Sequence, residues 1–286
     1  MTARSALRRY LLVCFLTWLP LGLMMSSQVL LMTERGLGLP EIGLTVTVFS
    51  VVTASLELPT GGLADVIGRR TVLAASAAFL TAGLALMSVA TTLWAFLAVG
   101  VLKGVARALS SGPSTSWYVD TLHRIEGRDA DLKPGLARGG AMESAALCVG
   151  VLAGGVLPAV VPPALMFPLA APSLVAAVAA ALLLAVVLVA LPEPPRERMS
   201  PAGVLRGVPA TIAGGLRMAA GRALLRRLML AAVCSGVMLT AIELLTPGRL
   251  AELAPPSRPA RARSCCCSRS AATSSSGTPS GRTSWP

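Results

Sequence analysis

The hydrophobic residues of this chain form long blocks that short polar stretches separate. The blocks have about the twenty residues that a helix needs to cross the roughly 30 Å hydrocarbon core of a bilayer. They predict membrane-spanning helices at residues 10–32, 41–61, 71–90, 93–117, 136–158, 165–191 and 228–246. The pattern therefore predicts an all-α integral membrane protein that crosses the bilayer several times.

The composition supports a membrane location and argues against a nucleic-acid partner. The chain is 54% hydrophobic and 13% charged, with a mean hydropathy of +0.72. A soluble domain carries about a quarter charged residues, so too few are present to cover a globule. The net charge is +12, but the basic residues lie between apolar blocks, and only 4% of residues are aromatic. We expect the lipid bilayer, and no nucleic acid, as a partner.

The basic residues of the connections predict how the spans are oriented. Nearly all of them lie on one side of the predicted spans, whereas Arg35 is the basic residue of the opposite loops among the first seven spans. Positively charged loops remain in the cytoplasm. The sequence therefore predicts a multi-pass protein of the cell (plasma or inner) membrane with a cytoplasmic N-terminus.

Changes in composition divide the chain into four segments. Residues 1–191 hold the first six spans, residues 192–227 form a basic cytoplasmic loop, and residues 228–254 hold the seventh span. The basic loop has two open interpretations: a helix on the anionic inner leaflet, or a linker whose charges enforce topology. Residues 255–286 contain no acidic residue and no apolar run, so this tail is predicted to be disordered. The abrupt change suggests a gene that is read out of frame there.

A sequence motif joins the second and third predicted spans. It reads Gly61-Gly62-Leu63-Ala64-Asp65-Val66-Ile67-Gly68-Arg69-Arg70. It resembles the signature of major facilitator superfamily transporters, which has Gly, Leu, Ala, Asp, a basic residue, Gly and two basic residues at fixed spacing. Val66 departs from that pattern, and seven positions match: Gly61, Leu63, Ala64, Asp65, Gly68, Arg69 and Arg70. The resemblance implies a six-helix N-terminal bundle of that type, followed by one further membrane helix and the tail.

The motif residues have roles that follow partly from chemistry and partly from the resemblance. Gly68 permits the backbone angles of a tight reversal in a short loop, and Gly61 permits close helix approach. The resemblance implies that Asp65 and a loop arginine latch two six-span halves together, and that Arg69 pairs with Asp120 at the end of span four. The alternative is that the two arginines only set topology. Because the second half is missing after span seven, we expect a truncated transporter that needs a second half or a dimer partner.

Five ionisable residues fall inside predicted spans, where charge is costly and often functional. Lys103 and Arg107 lie four residues apart on one helix face. Helical rise puts Arg107 roughly 20 Å and Glu57 roughly 12 Å from the inner membrane edge, so Arg107 is expected to reach Glu57 or Glu143. Proton relay and simple neutralisation both stay open for that pair. The five candidates are Glu57, Lys103, Arg107, Glu143 and Glu243.

The resemblance implies a secondary active permease that exports small organic compounds and is coupled to protons. The glycines of span five are similar to the Gly-rich motif of drug/proton antiporters, although close packing through Gly150 and Gly154 is the simpler interpretation. The alternatives are a non-transporting membrane fragment and a multi-span membrane enzyme. The one histidine, His123, is predicted in the loop after span four, which excludes a histidine metal cluster. We expect no enzyme activity, metal or cofactor.

Overall fold

The computed structural model describes residues 2–162 and 167–191, with the backbone alone for residues 58–66, and scattered positions between 221 and 246. Within this described part, the regular secondary structure is helical. The helices are α1 (Ala3–Met25), α2 (Gln28–Glu34), α3 (Leu39–Ile67), α4 (Arg69–Val89), α5 (Leu93–Ser110), α6 (Pro113–Glu126), α7 (Lys133–Val160) and α8 (Ala171–Ala190), with a 3₁₀ turn at Pro168–Ala170.

Six helical segments are long and apolar enough to cross a membrane, and they confirm the all-α membrane fold. They are α1, the Leu39–Glu57 part of α3, α4, the α5–α6 pair, α7, and the segment Pro168–Ala190. The positions of the seventh predicted span that are described are helical. Residues 192–220 of the basic loop at 192–227 and the tail at 255–286 lie outside the described residues, so the four-segment division stays a prediction.

The first predicted span, 10–32, was misplaced. Helix α1 begins at Ala3, so the basic residues near the N-terminus lie on the helix rather than before it. Thr2 starts the helix by accepting a hydrogen bond at Oγ1 from the Ser5 amide, at 3.3 Å. The helical path then breaks at Ser26 and Ser27, and α2 continues from Gln28.

The fourth predicted span is two helices rather than one. Gly112 adopts φ = 96° in the left-handed region, and Pro113 begins α6. Glycine enters this conformation without the steric cost that a side chain brings, and proline suits a first helical position. Since α6 extends to Glu126, His123 lies in the last turn of a helix and not in a loop.

The motif between spans two and three lies mostly on a helix. Helix α3 continues to Ile67, beyond the predicted span end at 61, and Gly68 alone separates it from α4. Gly68 has φ = 107°, so one glycine with a positive φ provides the whole reversal. The positive φ explains why a glycine is needed at position 68, as predicted. The observed loop between α3 and α4 is shorter than the predicted one.

The six spans form one bundle in which α1 and α4 are central. Helix α1 packs against α7 and α8, α4 packs against α5 and α8, and α3 packs against α5. Two spans are poorly covered by the rest of the bundle: 11% of the apolar window of α3 is buried and 17% of that of α7, against 39–44% for the other four spans. These two helices therefore present the widest uncovered apolar surfaces.

Glycines allow α1 and α7 to cross in direct backbone contact. A Cβ atom at Gly150 would lie 2.8 Å from the Gly22 Cα atom, and one at Gly22 would lie 2.7 Å from the Leu147 carbonyl oxygen. A Cβ atom at Gly154 would lie closer still to the Leu23 carbonyl oxygen. The close packing predicted through Gly150 and Gly154 is thus observed, and Gly22 is the partner that the sequence analysis did not identify.

Candidate functional site

The two arginines of the motif begin α4 and each contacts a different helix. Arg69 forms an ion pair with Asp120 through Nη1 and Oδ2, and it donates to the Ser116 carbonyl oxygen. Its side chain is 13% exposed, so the pair is shielded on the arginine side. The pairing that the resemblance implied between Arg69 and Asp120 is present, and it joins α4 to α6.

Arg70 contacts the C-terminal end of α8. It donates to the Leu188 carbonyl oxygen, and Arg9 Nη1 on α1 donates to the Ala190 carbonyl oxygen at 2.7 Å. The last carbonyls of a helix have no partner within the helix and carry a partial negative charge. Two arginines that are distant in sequence therefore cap one helix end, which gives Arg70 a specific contact beyond setting topology. Neither contact was predicted.

The remaining motif positions are described only through their backbone. Gly61, Leu63, Ala64 and Asp65 lie on the last turns of α3, and their side chains are outside the described residues. The latch role of Asp65 accordingly stays a prediction. Glu243, the last of the intramembrane candidates, is also outside the described residues.

A cavity of about 240 Å³ lies between α1, α3, α4 and α5. Lys103 and Arg107 of α5 both line it, together with apolar and hydroxyl-bearing side chains. Gly100 and Gly104 bring α5 close to α3: a Cβ atom at Gly104 would lie 2.9 Å from the Phe49 carbonyl oxygen. The glycines thus allow α5 to pack closely on α3, with the two basic side chains of α5 at the cavity.

The Lys103 side chain contacts residues of two other helices. Its Nζ atom donates to the Gln28 Oε1 atom at 2.6 Å, and Nζ lies 6.0 Å from the centre of the Phe49 ring. Both neighbours also line the cavity. Gln28 belongs to α2, the short helix that the sequence analysis merged with the first span, and so it was not recognised as a site residue.

The expected ion pair of Arg107 is not formed. Its guanidinium carbon lies 4.8 Å from the centre of the Trp18 ring, in a cation–π contact. Among the carboxylates that the structure describes, none is ion-paired with Arg107. Glu57 instead accepts a hydrogen bond at Oε1 from the Ser111 hydroxyl, at 2.9 Å. The helical rise gave the depth of these residues but not the face on which each lies.

Glu143 lies in a separate cluster between α1 and α7. It interacts with the Cys14 side chain, which also contacts Tyr10. The Tyr10 ring stacks on Tyr118 of α6 with centroids 4.6 Å apart. Gly139 makes room for Tyr10, since a Cβ atom there would lie 2.5 Å from the tyrosine oxygen. Glu143 is therefore next to a packed polar and aromatic cluster, and within the described structure it forms no ion pair with Arg107.

The comparisons agree with this architecture. No curated protein matches the sequence. The family model described as Major Facilitator Superfamily matches residues 10–253, a range that contains the motif, the cavity and all but the first residues of the bundle. The chain belongs to the major facilitator superfamily.

Proposed function

We propose that this protein exports small organic compounds across the cell membrane in exchange for protons. Family membership makes the chain a membrane transporter. The observation that carries the finer proposal is the cavity between α1, α3, α4 and α5, in which charged and hydroxyl groups lie within membrane-spanning helices. Polar groups at membrane depth are costly and usually serve a transport pathway.

Two carboxylates support proton coupling. Glu143 lies against Cys14 and Tyr10 where α1 crosses α7, and Glu57 lies against Ser111 at the break between α5 and α6. Both carboxylates belong to membrane-spanning segments, where a change of charge is costly. Gain or loss of a proton at either carboxylate changes its charge, and so changes which packing of those helices is preferred.

The proposal includes a second bundle that faces this one. Alternating access requires two bundles that rock about a central site. The faces of α3 and α7 are the least covered in the described bundle, which suits contact with another bundle. We propose that a second half or a second copy occupies them, that Asp65 contacts a helix start there, and that the N-terminus is cytoplasmic.

Reconstitution into liposomes that contain a pH-sensitive dye tests the function. With a panel of neutral, anionic and cationic compounds, we expect flux of a subset that is accompanied by proton movement in the opposite direction. Glu143→Gln should abolish the proton movement but leave exchange of the compound across the membrane. The matched control is Glu34→Gln at the exposed end of α2. Flux without proton movement would contradict coupling, and no flux for any compound would contradict transport.

A further inference from the structure

Helices α1, α6 and α7 meet around a pair of stacked tyrosines. The rings of Tyr10 on α1 and Tyr118 on α6 lie 4.6 Å apart between centroids, at an interplanar angle of 14°. Each of the two residues is 3% exposed. A Cβ atom at Gly139 would lie 2.5 Å from the Tyr10 oxygen, and one at Gly135 would overlap the Tyr118 oxygen. Two glycines one turn apart on α7 therefore leave the space that both tyrosine oxygens occupy.

The same cluster reaches an ionisable group one turn further along α7. Glu143 follows Gly139 by four residues, and it interacts with the Cys14 side chain, which follows Tyr10 by four residues on α1. Cys14 is 1% exposed and also interacts with Tyr10, whose hydroxyl interacts with Thr115 of α6. The carboxyl is thus held at the end of a row of side chains from three helices.

Few other charges face this carboxyl. Glu143 lies ten residues, or about 15 Å, inside α7. The charged residues of α1 all precede Tyr10, and α8 and the 3₁₀ turn, which also pack on α7, carry no ionisable side chain. On α6, Asp120 is ion-paired and the remaining charged residues lie in the last turn, while Arg138 of α7 acts on Tyr118. The ionisable side chains placed against the carboxyl are therefore the thiol and the phenol of α1.

A thiol and a phenol act on a carboxyl group differently from apolar neighbours. Both are neutral at physiological pH, and a neutral S–H group can donate to an ionised carboxylate. A donor that favours one protonation state of a carboxyl changes the pH at which the proton is bound. Packing alone would fix the helices but would not distinguish the two states of the carboxyl.

We propose that Cys14 and Tyr10 are positioning residues for proton binding at Glu143, with Cys14 in contact with the carboxyl and the Tyr10 hydroxyl holding Cys14 in place. The stack on Tyr118 in turn fixes the direction of the Tyr10 ring. This inference rests on the proposed function, in which Glu143 takes part in proton coupling, and it names the residues that set the pH range of that coupling.

Infrared difference spectroscopy of the purified full chain in nanodiscs tests the assignment without any transport. The protonated carboxyl band that is absent in Glu143→Gln is followed as the pH changes. We expect Cys14→Ala to displace the midpoint of this titration by about one pH unit, because a hydrogen bond to a charged group changes an equilibrium about tenfold. Tyr10→Phe should displace the midpoint in the same direction by less. Cys14→Ser keeps a donor and should stay close to the unchanged protein.

Two control variants separate this role from packing. Tyr118→Phe removes the hydroxyl of the other ring in the same stack, and Cys148→Ala removes an exposed thiol from α7. Both should leave the midpoint unchanged. Variants are compared only if they elute as a single species. If Cys14→Ala does not fold, the comparison of Tyr10→Phe with Tyr118→Phe decides the question, since each keeps its ring.

The outcomes distinguish this inference from the proposed function. An unchanged midpoint in Cys14→Ala and Tyr10→Phe, or an equal displacement in Tyr118→Phe, would show that the cluster only packs the helices and would overturn the inference. The absence of any titrating band that depends on Glu143 would overturn it as well. If the displacement is found but the liposome assay shows no flux of any compound, the proposed function fails and the positioning role stands. Coupled flux with an unchanged midpoint would leave the proposed function in place and remove the positioning role.

Discussion

Arg69 at the start of α4 is ion-paired with Asp120 on α6. Helices α5 and α6 together form one membrane-spanning segment, and α5 carries Lys103 and Arg107. The motif turn at Gly68 is thus fixed to the far end of the span that presents the two cavity cations. A movement of the turn would be transmitted to α6 directly, with no intervening loop.

Loss of either partner should destabilise the bundle. We expect Arg69→Gln or Asp120→Asn to lower the free energy of unfolding by about 1–2 kcal/mol, because the remaining charge loses its partner in a partly shielded position. Thermal unfolding in detergent measures the effect. Arg128→Gln, at an exposed position after α6, is the control that should leave the midpoint unchanged. An equal midpoint for Arg69→Gln and the control would show that the pair contributes nothing measurable.

Adding one methyl group at the α1–α7 crossing should be costly. Gly150→Ala places a Cβ atom 2.8 Å from the Gly22 Cα atom, and backbone atoms cannot move away cheaply. We expect a loss of about 1–3 kcal/mol, as for other overpacked sites, measured by the same thermal unfolding. Gly155→Ala is the matched control, since within the described structure a Cβ atom at Gly155 meets nothing within 4 Å. Alanine favours a helix more than glycine does, so destabilisation of both variants alike would show that the loss does not come from the close contact at Gly22.

Reporter fusions should reveal the orientation of the spans. A fusion after Arg128 or Arg198 is expected to be active as a cytoplasmic reporter, whereas a fusion after Glu34 is expected to be active only as an external one. The expectation follows from the excess of basic residues on the side where α1 begins. The reverse pattern of activities would place the N-terminus outside and contradict the proposed orientation.

The motif carboxylate should matter for transport more than for folding. We expect Asp65→Asn to lower the rate of compound flux in liposomes about tenfold while the unfolding midpoint stays close to that of the unchanged protein. The reason is that the proposed latch acts between bundles rather than within this one. Asp129→Asn, in the exposed connection before α7, is the control. Unchanged flux in Asp65→Asn would remove the latch role but not the family membership.

The features that the sequence predicted correctly depend on local patterns. The long apolar blocks predict helices because each span satisfies its own backbone hydrogen bonds. The reversal at Gly68 was predicted because glycine permits backbone angles that other residues rarely adopt, and the structure shows φ = 107° there. The pairing of Arg69 with Asp120 came from the family resemblance, which carries information on which helices are neighbours.

The features that the sequence missed depend on helix rotation and on contacts that are distant along the chain. Helical rise placed Glu57 within reach of the long Arg107 side chain, but only the packed bundle shows that Arg107 faces Trp18. The helix break at Gly112 has a local signal in the Gly112-Pro113 pair, but a single span was predicted across it at 93–117. Gln28 became a site residue because the break at Ser26 and Ser27 turns α2 toward Lys103.

The end of α8 has a consequence for the order in which the protein is made. Its last carbonyl oxygens accept from Arg9 and Arg70, and Arg9 and Ala190 are 181 residues apart. The ribosome delivers the first span long before the sixth. The first span must therefore wait in the membrane, with its α7- and α8-facing sides uncovered, until synthesis has passed residue 190. Arg9 and Arg70 can cap α8 only at that point, so a nascent chain released earlier would expose unfinished helix faces to lipid and quality control.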